Sequence, residues 1–395
     1  MLHSVNKFFP DFKIEIGNTI KQVKKANLII FHPNLRVGGA ETQIINLING
    51  LANKEYKIIL ALYDVCEDQL KWISYQSNVS VVNLRKSRRG YVGVIFGLIK
   101  ILAKNRCATV YTFLVSQNVM AICIGKCLSV RRIVWGNRIS EFPVGEFGWK
   151  GDLSFYLEKS FASGVDVIIS NSQVGQDIQE NKGLRPKNKT VIRNGIDTNN
   201  YARDIQLRKE FRLENRIEDD VIVIATVCRI VEWKGIETFI KAAGELLEYR
   251  KNVRFLCVGS GNRQLVSEYE SLASELASRQ FTWLGERLDV IRVLNGIDIL
   301  TSASYSGEGF SNIVGEAMSV GIPIVTTDVG DNRDVLGETG IVVKPKDVTA
   351  LRKAWLRLID NSDLREDLSN RSAKRVRSHY SLENMIDATE RFLFV

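Results

Sequence analysis

Short apolar runs alternate with longer segments of helical periodicity from residue 27 onward. The runs are rich in β-branched residues and continuous, which is typical of parallel strands buried on both faces. The first set comprises residues 28–32, 58–62, 79–84, 109–114, 133–135, 165–170 and 190–193. The second comprises residues 221–227, 253–258, 281–284, 297–301, 324–327 and 341–343, with helical segments such as 236–249 between them. This alternation predicts two parallel α/β units.

Strand signals lapse between residues 197 and 220, where charges crowd, so we interpret this stretch as a linker with one helix. A chain of 395 residues also exceeds what one hydrophobic core usually organises. We therefore predict an N-terminal domain over residues 1–200, a C-terminal domain over 201–378 and an amphipathic terminal helix over 379–395. An added helix is assigned to the residues before the first strand.

Composition narrows the class of protein. Hydrophobic residues make up 45% and charged residues 25%, as in soluble globular enzymes. No apolar run of about 18 residues occurs and the N-terminus lacks a signal-peptide layout, so we expect a cytoplasmic protein. The six cysteines form no C-x-x-C pair, and several lie inside apolar runs, so we expect reduced thiols in the core. The net charge of +9 favours an anionic partner: nucleotide, nucleic acid or membrane.

A basic run at residues 85–89 leads directly into an apolar segment at residues 91–102. This layout suits peripheral contact with an anionic membrane. An ordinary core helix behind a solvated basic loop explains the same pattern. Both interpretations stay open at the level of sequence.

Ligands of open parallel sheets bind at the carboxyl ends of strands, so the loops after strands are the places to search. Gly38 and Gly39 follow the first strand and open a helix, which permits close approach to an anion, although a simple tight turn gives the same pair. Arg229 and Lys234 follow the first strand of the second unit. A forked guanidinium and a mobile ammonium on one loop can neutralise a diphosphate, or be ordinary solvated charges.

Two carboxylates in the stretch from residue 305 to 323 are the strongest candidates. Glu308 is predicted on a strand-to-helix loop, where it can accept hydrogen bonds from ligand hydroxyls. Glu316 is predicted about two turns down the following helix, where it can bind a vicinal diol such as a ribose. The first amides of that helix, from Gly309 to Ile313, can cradle a phosphate. A later loop at residues 329–334 suits a helix N-cap.

Several classes are excluded by motifs that the sequence lacks. There is no P-loop, and Gly259 and Gly261 follow a strand without the third glycine or downstream acid of a dinucleotide fingerprint. With three histidines and no Cys/His cluster, we expect neither a protein-bound metal nor a cofactor.

Five different motifs occur in order along the chain, and together they resemble those of glycosyltransferase family 4. They are Gly38-Gly39-Ala40-Glu41, Asn194-Gly195-Ile196-Asp197, Arg229 with Lys234, Glu308-Gly309-Phe310 with Glu316-Ala317-Met318, and Gly321-Ile322-Pro323-Ile324-Val325. The resemblance runs from about Asn27 to the C-terminus. It implies a retaining enzyme of bacterial cell-surface polysaccharide synthesis with GT-B architecture, in which two Rossmann-like doubly wound parallel-sheet domains face a cleft and the terminal helix crosses back to the first domain.

The same resemblance implies roles for individual residues. Arg229 and Lys234 would hold the diphosphate leaving group, Glu308 the donor sugar and Glu316 the ribose. The loop that ends at Leu288 would face the base, in a donor expected to be linked to UDP. The full donor-binding set is Gly38, Gly39, Arg229, Lys234, Leu288, Glu308, Gly309, Phe310, Ser311, Asn312, Ile313 and Glu316. Retention in this family is explained by front-face attack, with the leaving phosphate assisting deprotonation of the acceptor.

One departure concerns the first domain. Many members carry a histidine near the donor sugar, at about the position where this chain has Asn137 and Arg138, and no histidine lies between His32 and His379. We expect Asn137 or Arg138 to replace that contact.

The leading functional hypothesis is an enzyme that transfers a sugar from a nucleotide diphosphate to a lipid-linked glycan at the cytoplasmic face of the membrane. The alternatives are a sugar-nucleotide epimerase of the same fold and a transferase acting on a small soluble acceptor. A basic nucleic-acid-binding module fits the charge but lacks interleaved aromatic and basic residues.

Overall fold

The computed structural model describes residues 27–35, 38–65, 73, 77–138 and 148–394. They form two compact units. Unit 1 comprises the residues up to Gly195 together with those from Glu383, and unit 2 spans Ile196–Leu382. The predicted boundaries at residues 200 and 378 lie near these divisions, and the helix assigned before residue 27 lies outside the described residues.

Unit 1 is built on a parallel sheet of seven strands in the order β3-β2-β1-β4-β5-β6-β7. The strands are β1 Leu28–His32, β2 Ile58–Leu62, β3 Val79–Asn83, β4 Thr109–Thr112, β5 Arg132–Asn137, β6 Val167–Ser170 and β7 Lys189–Val191. The five residues of β1 and of β2 are all buried, because helices cover both faces of a parallel sheet. The helices are α1 Gly39–Asn53, α2 Lys86–Lys104, α3 Val115–Cys127, α4 Gly148–Phe161 and α5 Gln173–Asn181.

Unit 2 repeats the architecture with a parallel sheet of six strands in the order β10-β9-β8-β11-β12-β13. The strands are β8 Ile222–Val227, β9 Val253–Val258, β10 Phe281–Gly285, β11 Ile299–Ser302, β12 Ile324–Thr327 and β13 Ile341–Val343. The helices of this unit are α6 Ile205–Glu214, α7 Ile236–Leu247, α8 Arg263–Leu276, α9 Val290–Gly296, α10 Asn312–Val320, α11 Asn332–Leu336, α12 Val348–Ile359 and α13 Ser362–His379. The prediction of two α/β units, each on a parallel sheet, is confirmed.

The last helix, α14 Leu382–Phe394, packs on unit 1. Phe394 stacks on Tyr56 with ring centroids 4.1 Å apart, and the Tyr56 hydroxyl donates to Glu390 at 2.8 Å. Lys54 forms ion pairs with Asp387 and Glu390. Gly50 leaves the space that Ile386 fills, since a Cβ at Gly50 would overlap the Ile386 side chain. Ring stacking, close packing at Gly50 and paired charges thus hold α14 against α1 and the residues that follow it.

The prediction that the cysteines are core thiols is wrong for three of the five described ones. Cys107, Cys123 and Cys127 are exposed, whereas Cys257 is buried and Cys228 is partly buried. The apolar run around residues 119–124 forms helix α3, whose outer face carries two of these thiols. Cys66 lies outside the described residues.

None of the helices among the described residues is both long enough and apolar enough to cross a membrane.

A buried polar network joins α3, α4 and the sheet of unit 1. The Thr112 hydroxyl donates to Asn118 at 2.6 Å, and the Asn118 amide donates to the Glu158 carboxylate at 2.5 Å. Glu158 is 5% exposed. Burial raises the pKa of Glu158 to about 7, against the smaller lowering effect of the Asn118 hydrogen bond. An acid whose pKa is higher in the folded state binds its proton there more tightly than in the unfolded chain.

We expect Glu158→Gln to become increasingly stabilising, relative to the natural chain, as the pH rises from about 4.5 to 7. Between those values the folded state holds a proton that the unfolded state has lost, so stability falls with rising pH. The neutral amide of Gln keeps an acceptor for Asn118 and cannot ionise. The variant therefore avoids the pH-dependent loss of folding stability, which is on the order of 3 kcal/mol. Thermal midpoints of both proteins at pH 5 and pH 8 measure the difference. A difference that does not change with pH would contradict the assignment.

Candidate active site

Three of the predicted site residues lie on loops that leave unit 2 where its strand order changes direction. The sheet places β8 beside β11, so the loops after these two strands emerge at a topological switch point. The loop after β8 carries Arg229 and Lys234, and the loop after β11 carries Glu308 and leads into α10. This is the crevice where open α/β sheets bind ligands.

Glycines hold these two loops against each other. Gly235 has φ 69°, a left-handed conformation, and a Cβ there would overlap the Ala303 carbonyl oxygen. The Tyr305 N–H donates to the Trp233 carbonyl at 2.8 Å, which ties the loops together although the two residues lie far apart in sequence. The spacing between the β8 loop and the β11 loop is therefore fixed by backbone contacts.

The loop after β12 supports the β11 loop from the other side. Gly330 has φ 58°, and a Cβ there would overlap the carbonyl oxygens of Glu308 and Gly309. The Asp331 N–H donates to the Gly309 carbonyl at 3.2 Å. Asp331 occupies the N-cap position of α11, as the interpretation of this loop expects, but its side chain makes no capping hydrogen bond to the helix. Its structural contribution comes from close backbone approach instead.

Lys234 and Glu308 form a largely buried ion pair that joins the β8 loop to the β11 loop. Their side chains are 16% and 8% exposed, and the Ser304 hydroxyl donates to the same Glu308 oxygen at 2.7 Å. A buried charge is costly unless it is paired and hydrogen-bonded, and this arrangement meets both conditions. The Lys234 ammonium also lies 4.8 Å from the Trp233 ring centroid.

Arg229 adds a second cation to the same loop. It is exposed, and its guanidinium carbon lies 5.9 Å from the Trp233 ring centroid, so both cations approach one indole. An aromatic face attracts cations and limits the orientations they adopt. The site thus contains one cation neutralised by a carboxylate and one turned to solvent.

Helix α10 presents its N-terminus at the same loop. It begins at Asn312, and Ser311 precedes it in extended conformation without a side-chain cap. The first amides of a helix carry the positive end of its dipole and attract anions. Phe310 is 4% exposed and packs against Tyr380 with centroids 5.4 Å apart, so it anchors the loop through its side chain.

Glu316 lies little more than one turn into α10, so the prediction of two turns is wrong. The helix starts later than expected because the loop needs Gly307 at φ 73°, where the glycine packs against the Trp233 ring. Burial raises the pKa of Glu316 to about 7, and a hydrogen bond with Tyr201 partly offsets this. Tyr201 is itself held by the Ser319 hydroxyl, which donates to the Tyr201 carbonyl at 2.6 Å.

The other predicted donor-binding residues lie elsewhere. Leu288 is 59% exposed in the loop after β10, beside Arg287, which binds Asp289 in bidentate fashion. Gly38 and Gly39 lie in unit 1, at the start of α1. Gly38 has φ −173°, an extended conformation that any residue adopts, so its backbone does not require glycine.

Arg138 and Asn137 make contacts within unit 1. The Arg138 guanidinium donates to the Asn194 side chain at 2.8 Å and lies 5.4 Å from the Phe113 ring centroid. The Asn137 amide donates to the Gly175 carbonyl at 3.4 Å. Their predicted contact with a donor sugar stays a prediction.

Sequence reasoning missed Trp233, Ser304, Tyr201 and Gly330. Trp233 and Gly330 stand within stretches already singled out, and an aromatic residue between two cations was a signal available for the first. Ser304 and Tyr201 gave none, because their roles depend on packing across the fold.

Two family models match the chain, one in each half. The model described as Glycosyltransferase Family 4 matches residues 37–200, and the model described as Glycosyl transferases group 1 matches residues 221–361.

Several curated relatives are similar over about half of the chain or more, and two serve as examples. The capsular polysaccharide biosynthesis glycosyltransferase CapM of Staphylococcus aureus is 28% identical over 59% of this chain and 63% of its own length. A D-inositol 3-phosphate glycosyltransferase of Corynebacterium aurimucosum is 27% identical over 53% of this chain and 52% of its own length. The chain thus spans less than two thirds of either relative.

Among solved structures, Anabaena Alr3699/HepE in complex with UDP matches 93% of this chain and 99% of its own, with a TM-score of 0.81 and 17% identity. A sucrose-phosphate synthase from Thermosynechococcus elongatus matches 92% of this chain and 98% of its own, with a TM-score of 0.76 and 16% identity. At these identities the likeness establishes the fold, which is GT-B.

We expect Gly330→Ala to destabilise unit 2 by more than about 2 kcal/mol, because the new methyl group meets two carbonyl oxygens in addition to the cost of a left-handed backbone. Gly285→Ala is the matched control in the same unit: Gly285 has φ 65°, but no atom lies within 4 Å of the position that its methyl group would take, so about 1 kcal/mol is expected. Thermal unfolding of both variants measures this. Equal losses would show that contact with the Glu308 loop is unimportant.

Proposed function

Because the chain belongs to the group 1 glycosyltransferases, with a Glycosyltransferase Family 4 domain before the group 1 domain, we propose that it transfers a sugar from a UDP-linked donor to a glycan acceptor. The reaction is retaining and independent of a metal ion, and it serves surface polysaccharide synthesis. The observation that carries this proposal is the pair Lys234 and Glu308 at the switch point, beside Arg229 and the start of α10.

The charges of this site suit a nucleotide diphosphate leaving group. Breaking the anomeric bond creates negative charge on the diphosphate, and in this proposal Arg229, Lys234 and the helix amides stabilise that charge. In this proposal an arriving diphosphate competes with Glu308 for Lys234. The released carboxylate then accepts hydrogen bonds from hydroxyls of the donor sugar.

Glu308 is better suited to hold substrate than to attack it. Its carboxylate accepts a hydrogen bond from the Ser304 hydroxyl, and once released from Lys234 it accepts others from the donor sugar; these hydrogen bonds reduce its nucleophilicity. We therefore assign deprotonation of the acceptor to the leaving phosphate, which avoids a covalent enzyme intermediate. Glu316 takes the ribose hydroxyls, with Tyr201 orienting its carboxylate.

A lipid-linked acceptor is supported by an exposed apolar surface on α2, defined as Tyr91, Val92, Ile95 and Phe96. These side chains are 54%, 64%, 38% and 61% exposed, whereas Val94, Leu98 and Leu102 on the opposite face are fully buried. The basic residues Arg85, Lys86 and Arg88 come just before this surface in sequence, and Gly90, with φ 62° and ψ −168°, breaks the helical conformation between them. We propose that the α2 surface rests on an anionic bilayer, where cations meet headgroups and aromatic rings enter the interface.

Lys234→Ala is expected to lower transfer about a hundredfold, since one phosphate ligand contributes on the order of 3 kcal/mol to the transition state. The assay measures the release of UDP from UDP-sugars in the presence of a glycan acceptor and of a chelator that removes metal ions. Lys241→Ala, which removes an exposed cation paired with Glu237 on α7, is the control and keeps full activity.

The same substitution leaves Glu308 buried without its cation, so the double variant Lys234→Ala with Glu308→Gln separates the two effects. Recovery of thermal stability without recovery of transfer supports the assignment. Wild-type turnover in Lys234→Ala would refute it. Conversion of the donor without an acceptor would favour an epimerase instead.

Changing Arg85, Lys86, Arg88 and Arg89 to Gln is expected to weaken sedimentation with phosphatidylglycerol vesicles more than about tenfold, because each cation contributes about 1 kcal/mol near an anionic surface. Phe96→Ser should weaken it without changing its dependence on salt. The control changes four exposed cations of unit 2, Lys251, Arg371, Lys374 and Arg377, to Gln. An equal loss in the control would reject the α2 surface.

A further inference from the structure

His32 is the last residue of β1 and lies at the switch point of unit 1. The sheet order places β1 between β2 and β4, so connections leave in opposite directions at this strand. Phe113 follows β4, and its ring centroid lies 6.1 Å from that of the imidazole. By its position in the sheet, His32 corresponds to the start of the ligand crevice of an open α/β fold.

The hydrogen bond of His32 determines which ring nitrogen carries the proton. Nδ1 lies 2.6 Å from the Asn34 carbonyl oxygen, and a carbonyl oxygen can only accept. Nδ1 therefore bears the hydrogen. Burial lowers the pKa of His32 to about 4, so the ring is neutral near pH 7 and Nε2 carries a bare lone pair.

That second nitrogen has no hydrogen-bond partner in the part of the chain that the structure describes. The residue is 1% exposed. Nε2 faces the first turn of α1, where the nearest Glu41 carboxylate oxygen lies 4.0 Å away. Since a bare nitrogen and a carboxylate oxygen both accept, neither satisfies the other, and a buried unsatisfied acceptor is unfavourable.

The chemistry of these two acceptors selects the ligand. A phosphate diester or a diphosphate is ionised near pH 7 and has almost no O–H group that could donate a hydrogen bond. Its negative charge would also be repelled by the Nε2 lone pair and the Glu41 carboxylate. A sugar hydroxyl can donate its hydrogen to Nε2 while its oxygen accepts from donors such as helix amides. Unit 1 thus favours a neutral hydroxylated group at this position, in contrast to the cationic crevice of unit 2.

We propose that His32 Nε2 accepts a hydrogen bond from a hydroxyl of the acceptor glycan, and that this contact determines recognition of the acceptor in unit 1. This inference rests on the proposed transferase function. It assigns to the first unit a histidine that the motifs of the sequence did not single out.

Two substitutions separate the nitrogens of His32. In His32→Asn the side-chain amide reaches the position of Nδ1 and keeps the hydrogen bond to Asn34, but nothing occupies the position of Nε2. In His32→Gln the amide reaches the position of Nε2. Both replacement side chains are polar and no larger than about the size of the imidazole ring. Thermal unfolding verifies that each variant is folded.

The experiment uses nitrogen NMR of the full chain labelled at histidine. The chain has only three histidines, so the His32 signals are assigned by their loss in His32→Asn. The probes are UDP alone and a panel of methyl glycosides of hexoses and N-acetylhexosamines. We expect an unprotonated Nε2 near pH 7 whose resonance shifts with at least one glycoside and not with UDP.

His32→Asn should weaken binding of that glycoside about tenfold or more, and His32→Gln should restore part of it. A protonated Nε2, no shift with any glycoside, or unchanged binding in His32→Asn would overturn the proposal. Calorimetric titration of UDP keeps the two hypotheses apart. Normal UDP binding alongside any of these failures would refute the role of His32 alone, whereas loss of UDP binding in the natural chain would contradict the proposed function itself.

Discussion

The candidate site depends on one constraint: Lys234 and Glu308 are buried together and must remain paired unless a ligand separates them. Two charges taken out of water are tolerated only when their geometry is closely held. The backbone contacts of Gly235 and Gly330 supply that geometry, because each brings a neighbouring loop against the one that carries Glu308. The backbone of the crevice is thus set before any ligand arrives, and binding has to exchange one charge pair for another.

The sheets were predicted well from the sequence because a parallel strand buried on both faces is a continuous apolar run. The runs at 28–32, 58–62 and 253–258 match β1, β2 and β9 in full. The helix carrying Glu316 was predicted less well, since the start of α10 depends on a left-handed Gly307 packed on Trp233. Conformations that tertiary contacts impose leave little trace in local periodicity.

The partners of the site residues were beyond the sequence for the same reason. Lys234 and Glu308 were each identified, yet their pairing follows only once β8 and β11 are known to be neighbours in the sheet. Tyr201 supports Glu316 from a distant position in the chain. The exposed cysteines of α3 show the opposite error, in which an apolar run was taken for core although one face of the helix turns outward.

The two units use one topology for different chemistry. In each unit the strand order changes direction beside the strand that comes first in sequence, which is β1 in unit 1 and β8 in unit 2. A loop and then a helix follow each of these strands. Unit 2 fills the position with Arg229 and Lys234, which favour an anion, whereas unit 1 ends β1 with a neutral imidazole facing a carboxylate. A polyanion would gain at the first of these positions and lose at the second. Two units of the same fold can therefore favour different ligand groups, an anion in one and a neutral hydroxyl in the other, through a few side chains at equivalent strand ends.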